Sequence, residues 1–556
     1  MPRIEIDGKS IDVPPNVNLI EAAKAAGVEL PHYCYHPGLS IAGSCRMCQV
    51  EVEENGRNAI VIGCATTVAE GMRICTTAER VQKQRQMVLE FLLQNHPLDC
   101  PICDDAGECD LQNYYMKHGC HDSRVALADK YHKHKVIDLG PTVILDSERC
   151  VLCSRCVRFL QEITGTGELG IFGQGMTSEL LTIPSVRLDN PYSGCVVDLC
   201  PVGALTDKDF RFKRRVWYLK KVPSVCQACS RGCSIEIHYD LRHPYKASAR
   251  RIQRLKPRYN RSVNEWWICN RGRYSYHSVD APDRLTIAQT RATNGDGAPN
   301  IKRVLQEAAR SIKTAKEKHG TKSIAILGSA SSSNEDLYLL HRLFAQHLGV
   351  HHFDVSLKSE PSGEEDEILR KADLVPNRRG AFEIGVRPVA SGKFSGDDIV
   401  RAAMASEIHV LIVVRHDLSL ALQAEYFNRL GNLDYLLFLG EHESPMTGIA
   451  RAVIPIAAWA ERDGSYTNFQ GRVQRTTQAV PPLGQALPEW EVWRLLGAEV
   501  GLTIKAKTAE EVFAELTKNV AAFRGLTWEG LAPSGRMLSG VPEPPYRKVR
   551  TSKPLE

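Results

Sequence analysis

The sequence predicts a multidomain protein, α+β in its N-terminal half and α/β in its C-terminal half. Two observations carry that expectation. All 18 cysteines lie between Cys34 and Cys269, and the 287 residues that follow contain none. Beyond that point apolar strand-like runs alternate with amphipathic helical stretches, the pattern of a parallel sheet covered by helices. A chain of 556 residues is long enough for several separately cored domains.

The elements follow in order. RIEI, a DG turn and SIDV form a hairpin, LIEAAKAAG a helix, and QVEVEENGRNAIVIG a second hairpin with ENG at its turn. Together they predict a small mixed sheet with one helix. Residues 81–95 read as a helix that delivers the chain to NHPLDCPICDDAGECDLQ, and residues 121–145 carry few signals. The C-terminal half supplies KSIAILG, a helix through EDLYLLHRLFAQHLG, the strand HVLIVV, a helix before LDYLLFLG, and AVIPIAAW. No repeat of fixed period is present.

Composition is that of a globular chain, 43% hydrophobic and 24% charged, and a net charge of +5 over this length does not by itself indicate nucleic acid. MPRIEIDGKSIDV lacks the features of a signal peptide, and no apolar run approaches the roughly 20 residues of a spanning helix. The expectation is a cytosolic protein, or one held at a membrane by a partner. In a large chain without a signal, many cysteines point to metal rather than disulfides.

The cysteines fall into four sets. Cys34, Cys45, Cys48 and Cys64 follow C-x10-C-x2-C-x15-C, close to the plant-type [2Fe-2S] pattern, with Gly43 and Ser44 offering backbone amides to the sulfides. Zinc competes, because it accepts the same thiolates. His96, Cys100, Cys103 and Cys109 form a quartet of one histidine and three cysteines that alone suits zinc or a cluster equally; its neighbours Asp104, Asp105, Glu108 and Asp110 read as solvated loop and helix-end charges. Cys150, Cys153 and Cys156, with the remote Cys200 before Pro201, show the ferredoxin arrangement for [4Fe-4S], since two-residue gaps let three thiolates take three corners of a cube. Cys226, Cys229, Cys233 and Cys269 again suit [4Fe-4S], with structural zinc as the alternative. Cys75, Cys120 and Cys195 are left over and read as buried thiols.

Two further stretches invite misreading. GTGELG, with Gly165, Gly167 and Gly170, matches a dinucleotide fingerprint, yet it follows a helical stretch instead of a strand. The basic, aromatic run from Phe210 to Lys221 resembles a nucleic-acid footprint, but arginines and lysines joining two cluster domains equally neutralise anionic clusters or an acidic partner.

The ordered series of these motifs resembles the large iron–sulfur subunit of respiratory complex I, the G-subunit family of NADH:quinone oxidoreductase. The resemblance covers at least residues 1–280 and continues more weakly through YSYHSVDAPDRLT, AILGSASSSNEDLYLL and WAERDGSYTNFQGRVQRTTQAV, which are similar to molybdopterin-oxidoreductase segments. It implies a β-grasp [2Fe-2S] ferredoxin-like domain over 1–80, a [4Fe-4S] module with one histidine and three cysteine ligands over 81–120, and a [4Fe-4S] ferredoxin-like domain over 121–215. A [4Fe-4S] domain of molybdopterin-oxidoreductase type then covers 216–280, and a truncated α/β domain of that type without an evident active site covers 281–556.

Family membership further implies electron transfer with no catalytic acid, base or nucleophile in this chain. Electrons would arrive from a flavin-bearing, NADH-oxidising subunit and pass from the Cys34 set to the Cys150 set, then to the His96 set, and on to quinone-side iron–sulfur subunits. The Cys226 set would lie off that path. One [2Fe-2S] and three [4Fe-4S] clusters, without molybdenum, pterin or flavin, amount to about 14 irons. The chain would sit in the peripheral arm of a multi-subunit translocase, on the cytoplasmic side of the bacterial inner membrane.

Three other functions are open to such a chain. A molybdenum enzyme of the formate dehydrogenase kind would need a thiolate or selenolate metal ligand, and no cysteine follows Cys269. A hydrogenase would need C-terminal cysteines for its active-site cluster. A zinc-bearing interaction module would need zinc in all four sets.

Overall fold

The computed structural model describes residues 1–54, 56–242, 250–291, 300–387 and 395–550. The chain divides into two compact units, Met1–Leu219 with Val549 and Arg550, and Lys220–Lys548.

In the first unit the two expected hairpins form as β1 (Arg3–Ile6) with β2 (Lys9–Asp12), and β3 (Gln49–Glu54) with β4 (Arg57–Ile62). Asn55 of the ENG turn lies outside the described residues. Helix α1 (Leu19–Ala25) starts where the Asn18 side chain accepts a hydrogen bond from the Glu21 amide at 3.0 Å. A short strand, β5 (Arg73–Cys75), completes a five-stranded mixed sheet of order β2-β1-β5-β3-β4, parallel only between β1 and β5. Alternate residues Ile4, Ile6, Val50 and Val52 point to one face and bury against Leu19, Ile20 and Ala23 of α1. Cys48 and Cys64 belong to the same apolar cluster, so the core itself holds the hairpin ends that carry them.

Helix α2 (Glu79–Leu93) leads to the histidine motif, and α3 (Asp110–His118) leaves it. The stretch with few sequence signals contains β6 (Ile137–Asp138) and β7 (Val143–Leu145). Helix α4 (Arg155–Phe159) continues as a π-type turn to Thr164, ended by Gly165 at φ 68°. GTGELG therefore follows a helix and leads into β8 (Leu169–Phe172), paired with β9 (Glu179–Thr182). Helix α5 (Cys195–Leu199) and β10 (Leu205–Asp207) close the unit, with β10 antiparallel to β7.

The second unit begins with the antiparallel sheet β11 (Lys220–Val225), β12 (Ser234–Tyr239) and β13 (Ile252–Pro257), followed by the one-turn α6 (Asn270–Arg273). The expected α/β pattern then forms a six-stranded sheet. Its strands are β14 (Gln289–Thr290), β15 (Ile324–Leu327), β16 (His352–Asp354), β17 (Val410–Val414), β18 (Tyr435–Gly440) and β19 (Ala452–Pro455), in the order β14-β19-β18-β17-β15-β16. All neighbours are parallel except β14 with β19. Helices α7 (Ile301–His319) and α8 (Asn334–His341) pack on it, α7 through Val304, Leu305, Ala308, Ile312 and Ala315 at helical spacing. With both faces covered, VLIVV of β17 is buried throughout. GSYT and RVQRT pair as a hairpin over Gly464–Thr467 and Arg472–Thr476.

Two expectations are corrected. Of the leftover cysteines only Cys195 is buried; Cys75, the last residue of β5, is partly exposed and Cys120 is exposed after α3. Nor are the acidic residues of the histidine motif all solvated, because Asp104 is buried and accepts a hydrogen bond from the Phe212 amide at 2.8 Å. Among the described residues no helix is long and apolar enough to cross a membrane.

Candidate metal centres

The Cys34 set is gathered by a loop ahead of β3 and the turn after β4. The Cys64 amide donates to Cys48 Sγ at 3.4 Å, and the Tyr33 amide to Cys45 Sγ at 3.5 Å. Gly43 (φ 62°) and Arg46 (φ 58°) bend the loop into the left-handed region, so that it wraps the thiols. Hydrogen bonds from the Cys45 and Cys64 thiols hold Cys34 far below the usual thiol range, and both donors are raised in return; Cys48, bonded by Cys64, falls to about 7. The four thiols thus meet in one continuous group, running Cys45, Cys34, Cys64, Cys48.

The Cys150 set surrounds one cavity, lined by all four cysteines and by Ile171, Leu180, Val202, Ala204 and Leu205. Leu152 (φ 51°) and Ser154 (φ 60°) adopt left-handed backbone on either side of Cys153, strain that turns successive amides toward the sulfurs. The Leu152, Arg155 and Leu205 amides bond to Cys150, Cys153 and Cys200 respectively. Burial, reinforced by mutual repulsion, pushes Cys150 up to about 12 and raises Cys156 and Cys200 as well. Such thiols become thiolates when a cationic group shares the cavity.

In the His96 set, burial lowers the imidazole to about 4, so the ring is neutral at physiological pH. Its Nδ1 is buried without a hydrogen-bond partner, and in the tautomer that leaves this nitrogen unprotonated its lone pair can ligate a metal. Cys103 and Cys109 are buried, and Cys109 rises to about 12 mainly through desolvation. Arg215, from the basic run, donates to the main-chain oxygens of Cys103 and Pro101 at 2.5 Å each and so closes the loop.

Contacts within the first unit set these three groups side by side. A Cβ on Gly203 would lie 2.4 Å from Cys103 Sγ, so the Cys200 loop touches the His96 set where only glycine fits. The Asp110 amide also donates to the Pro201 carbonyl at 2.9 Å. On the other side, α4 sends Arg155 to the carbonyls of Tyr35 (2.7 Å) and Leu199 (3.3 Å), and Arg158 to those of Cys34 (2.5 Å) and Cys153 (3.3 Å). The Cys150 set therefore adjoins both of the others, although it comes third along the chain. A cleft lined by Tyr33, Cys45, Met87, Phe91 and Cys153 opens beside the first and third sets.

In the second unit the β11–β12 loop carries Cys226, Cys229 and Cys233, closed by a Cys226 amide to Cys233 carbonyl bond at 2.8 Å. Cys269 precedes α6 and accepts from the Gly272 amide at 3.4 Å; a Cβ on Gly272 would lie 2.8 Å from Cys226 Sγ. All four thiols are buried, and desolvation with mutual repulsion raises Cys226 and Cys233. A separate cavity is lined by Gln227, Ser331, Arg415, Glu441, Trp459 and Arg462, among others. Its arginines are already neutralised, Arg415 by Glu441 and Glu489 and Arg462 by Asp336.

His319, His409 and Asp434 place one ligand atom each within 4.8 Å of one another. Those two imidazoles are stacked at 3.8 Å with planes 8° apart, however, so no ion can lie in both ring planes.

Family models match in the same order as the sites. They are a 2Fe-2S iron-sulfur cluster binding domain over residues 2–79, the NADH-ubiquinone oxidoreductase-G iron-sulfur binding region over 85–124, and the ferredoxin-like domain of NADH-quinone oxidoreductase subunit 3 over 140–206. The molybdopterin oxidoreductase Fe4S4 domain matches 219–281, and molybdopterin oxidoreductase 386–499. Fold and matched domains define an iron–sulfur protein with [2Fe-2S] and [4Fe-4S] binding domains. The NADH-quinone oxidoreductase G subunit of Rickettsia felis is 29% identical over 95% of this chain and 92% of its own. The mitochondrial NADH dehydrogenase [ubiquinone] iron-sulfur protein 1 of Solanum tuberosum is 29% identical over 89% and 80%. The NADH-ubiquinone oxidoreductase 75 kDa subunit of Reclinomonas americana is 36% identical over 68% and 53%. The chain belongs to this family, the large iron–sulfur subunit of NADH-quinone oxidoreductase.

Proposed function

We propose that this chain relays electrons within an NADH:quinone oxidoreductase, receiving them from a flavin-bearing, NADH-oxidising subunit and passing them to quinone-side iron–sulfur subunits. The observation that carries the reading is the contact of the Cys150 set with both the Cys34 set and the His96 set. It supports a path running from Cys34, Cys45, Cys48 and Cys64 as [2Fe-2S], through Cys150, Cys153, Cys156 and Cys200 as [4Fe-4S], to His96, Cys100, Cys103 and Cys109 as [4Fe-4S]. Cys226, Cys229, Cys233 and Cys269 hold a further [4Fe-4S] centre off this path, in a module whose folding its metal supports.

Bound clusters supply one-electron redox chemistry. The chain's own contribution is to bury the sulfurs, donate backbone amides to them, and fix the separations between sets. The modules 1–80, 81–120, 121–215, 216–280 and 281–556 divide this work, with the last as a docking scaffold. The protein sits in the peripheral arm on the cytoplasmic side of the membrane, attached through partner subunits. The molybdenum alternative is disfavoured by relatives named as this subunit over 95% of the chain and by the lack of cysteine after Cys269.

Metal analysis with low-temperature electron paramagnetic resonance of the anaerobically purified protein tests the reading. About 14 irons without zinc or molybdenum are expected. His96→Ala should remove or convert one four-iron signal and leave the others; an intact set of signals and unchanged iron would defeat the ligand assignment.

A further inference from the structure

Helix α4 places two guanidiniums, three residues apart, between the Cys34 and Cys150 sets. Arg155 and Arg158 are both 8% exposed. Arg158 donates through Nη2 to the carbonyls of Cys34 and Cys153, through Nη1 to that of Ser40, and through Nε to Ser154 Oγ at 3.1 Å. Its partners are neutral carbonyls and a hydroxyl, not carboxylates. The facing acids are engaged elsewhere or set to one side: Glu162 accepts from the Ser40 amide and hydroxyl, and Asp110 lies toward Arg155 at the start of α3. His36 also faces both guanidiniums, and His32 faces Arg155.

Resting on the proposed relay, we propose that Arg158 is the positioning residue for electron passage between these two sets. One planar fork hydrogen-bonds a ligand residue of each set and brings the same positive charge to both. Arginine suits the task because it offers several donors in a rigid fork and its charge is permanent, whereas lysine offers a single flexible ammonium. In a buried site a fixed cation favours whichever neighbour carries the extra negative charge. Because Arg158 touches both sets, it stabilises the electron before and after the step. With clusters bound, a single electron would pass from the centre held by the Cys34 set to the centre held by the Cys150 set. No bond breaks, and no proton moves, since the guanidinium keeps its own.

The test is a redox titration of the full cluster-loaded chain, followed by electron paramagnetic resonance, for Arg158→Gln and Arg158→Lys. At a fixed ambient potential, Arg158→Gln should lower the reduced-to-oxidised ratio of both neighbouring centres about tenfold, 59 mV for a one-electron couple. The His96-set centre serves as the reference and should move less. Arg158→Lys should restore both ratios. Retained clusters with unchanged ratios in Arg158→Gln would overturn the proposal, as would an equal shift of all three centres. Should Arg158→Gln lose its clusters, Arg158→Lys decides: wild-type ratios support the proposal, and a tenfold fall despite the retained charge overturns it. Absence of a two-iron signal in the unaltered protein would instead defeat the reading of the Cys34 set.

Discussion

Arg149 grips Asp99 through Nε at 3.2 Å and Nη2 at 2.7 Å, tying the residue before Cys150 to the residue before Cys100. The Arg149 side chain is 5% exposed and that of Asp99 19%. Burial opposes ionisation of Asp99, but the Arg149 hydrogen bonds and the Lys135 charge hold its carboxyl below the ordinary range. Arg149→Met leaves a largely buried carboxylate with only Lys135, at 3.3 Å, as partner. A loss of about 2 kcal/mol is expected. Denaturant unfolding of the first unit should register it, and a double-mutant cycle with Asp99→Asn should recover about 1 kcal/mol of coupling.

Gly203→Ala should act on a set to which Gly203 does not itself belong. The added methyl meets Cys103 Sγ at 2.4 Å and Asp105 Cβ at 3.0 Å. The expected outcome is loss of the four-iron signal of the His96 set, with iron falling from about 14 to about 10. Gly448→Ala, whose Cβ meets nothing within 4 Å, is the control and should leave the iron content unchanged.

His96→Cys exchanges a neutral ligand for a thiolate. The added negative charge should lower the midpoint potential of that centre alone, because ligand charge adds directly to the charge the reduced state must bear. Potentiometric titration of the separate signals reads the effect; an unchanged potential with the cluster retained would show that His96 is not a ligand.

Glu335, at the start of α8, supplies a pH test remote from every thiol set. Its carboxyl accepts from the Ser465 amide (2.8 Å) and hydroxyl (2.6 Å), yet burial pushes it up from 4.5 to about 7. Below pH 4.5 the folded and unfolded forms are both protonated, so this group costs nothing. As pH rises from 4.5 to 7 the unfolded carboxyl ionises first, and stability falls by about 3 kcal/mol before levelling off. Glu335→Gln should therefore raise the unfolding midpoint of the second unit at pH 8 relative to wild type, with little or no gain at pH 4. Equal effects at both values would rule out the ionisation.

Much of the local architecture was legible in the residues. RIEI, SIDV, QVEVEE and RNAIVI alternate with period two and form their hairpins, and HVLIVV and LDYLLFLG become adjacent parallel strands. Strand β5 was not legible, because three residues, RIC, carry no periodic signal; its place between β1 and β3 comes from pairing with both. The burial of Asp104 was likewise hidden, since its partner, the Phe212 amide, lies 108 residues away.

The sequence alone determined which closely spaced cysteines share a loop, because thiols separated by two or three residues must face one site, whereas the fold brings in remote members such as Cys64, Cys200 and Cys269. Only the tertiary structure decided which sets adjoin. Chain order runs Cys34, His96, Cys150, whereas Arg158 joins the first to the third and Gly203 seats the third against the second. Those junctions join residues about 100 or more positions apart, through an arginine fork and a missing side chain. Neither has a spacing signature, since both depend on the packing that brings distant loops into contact.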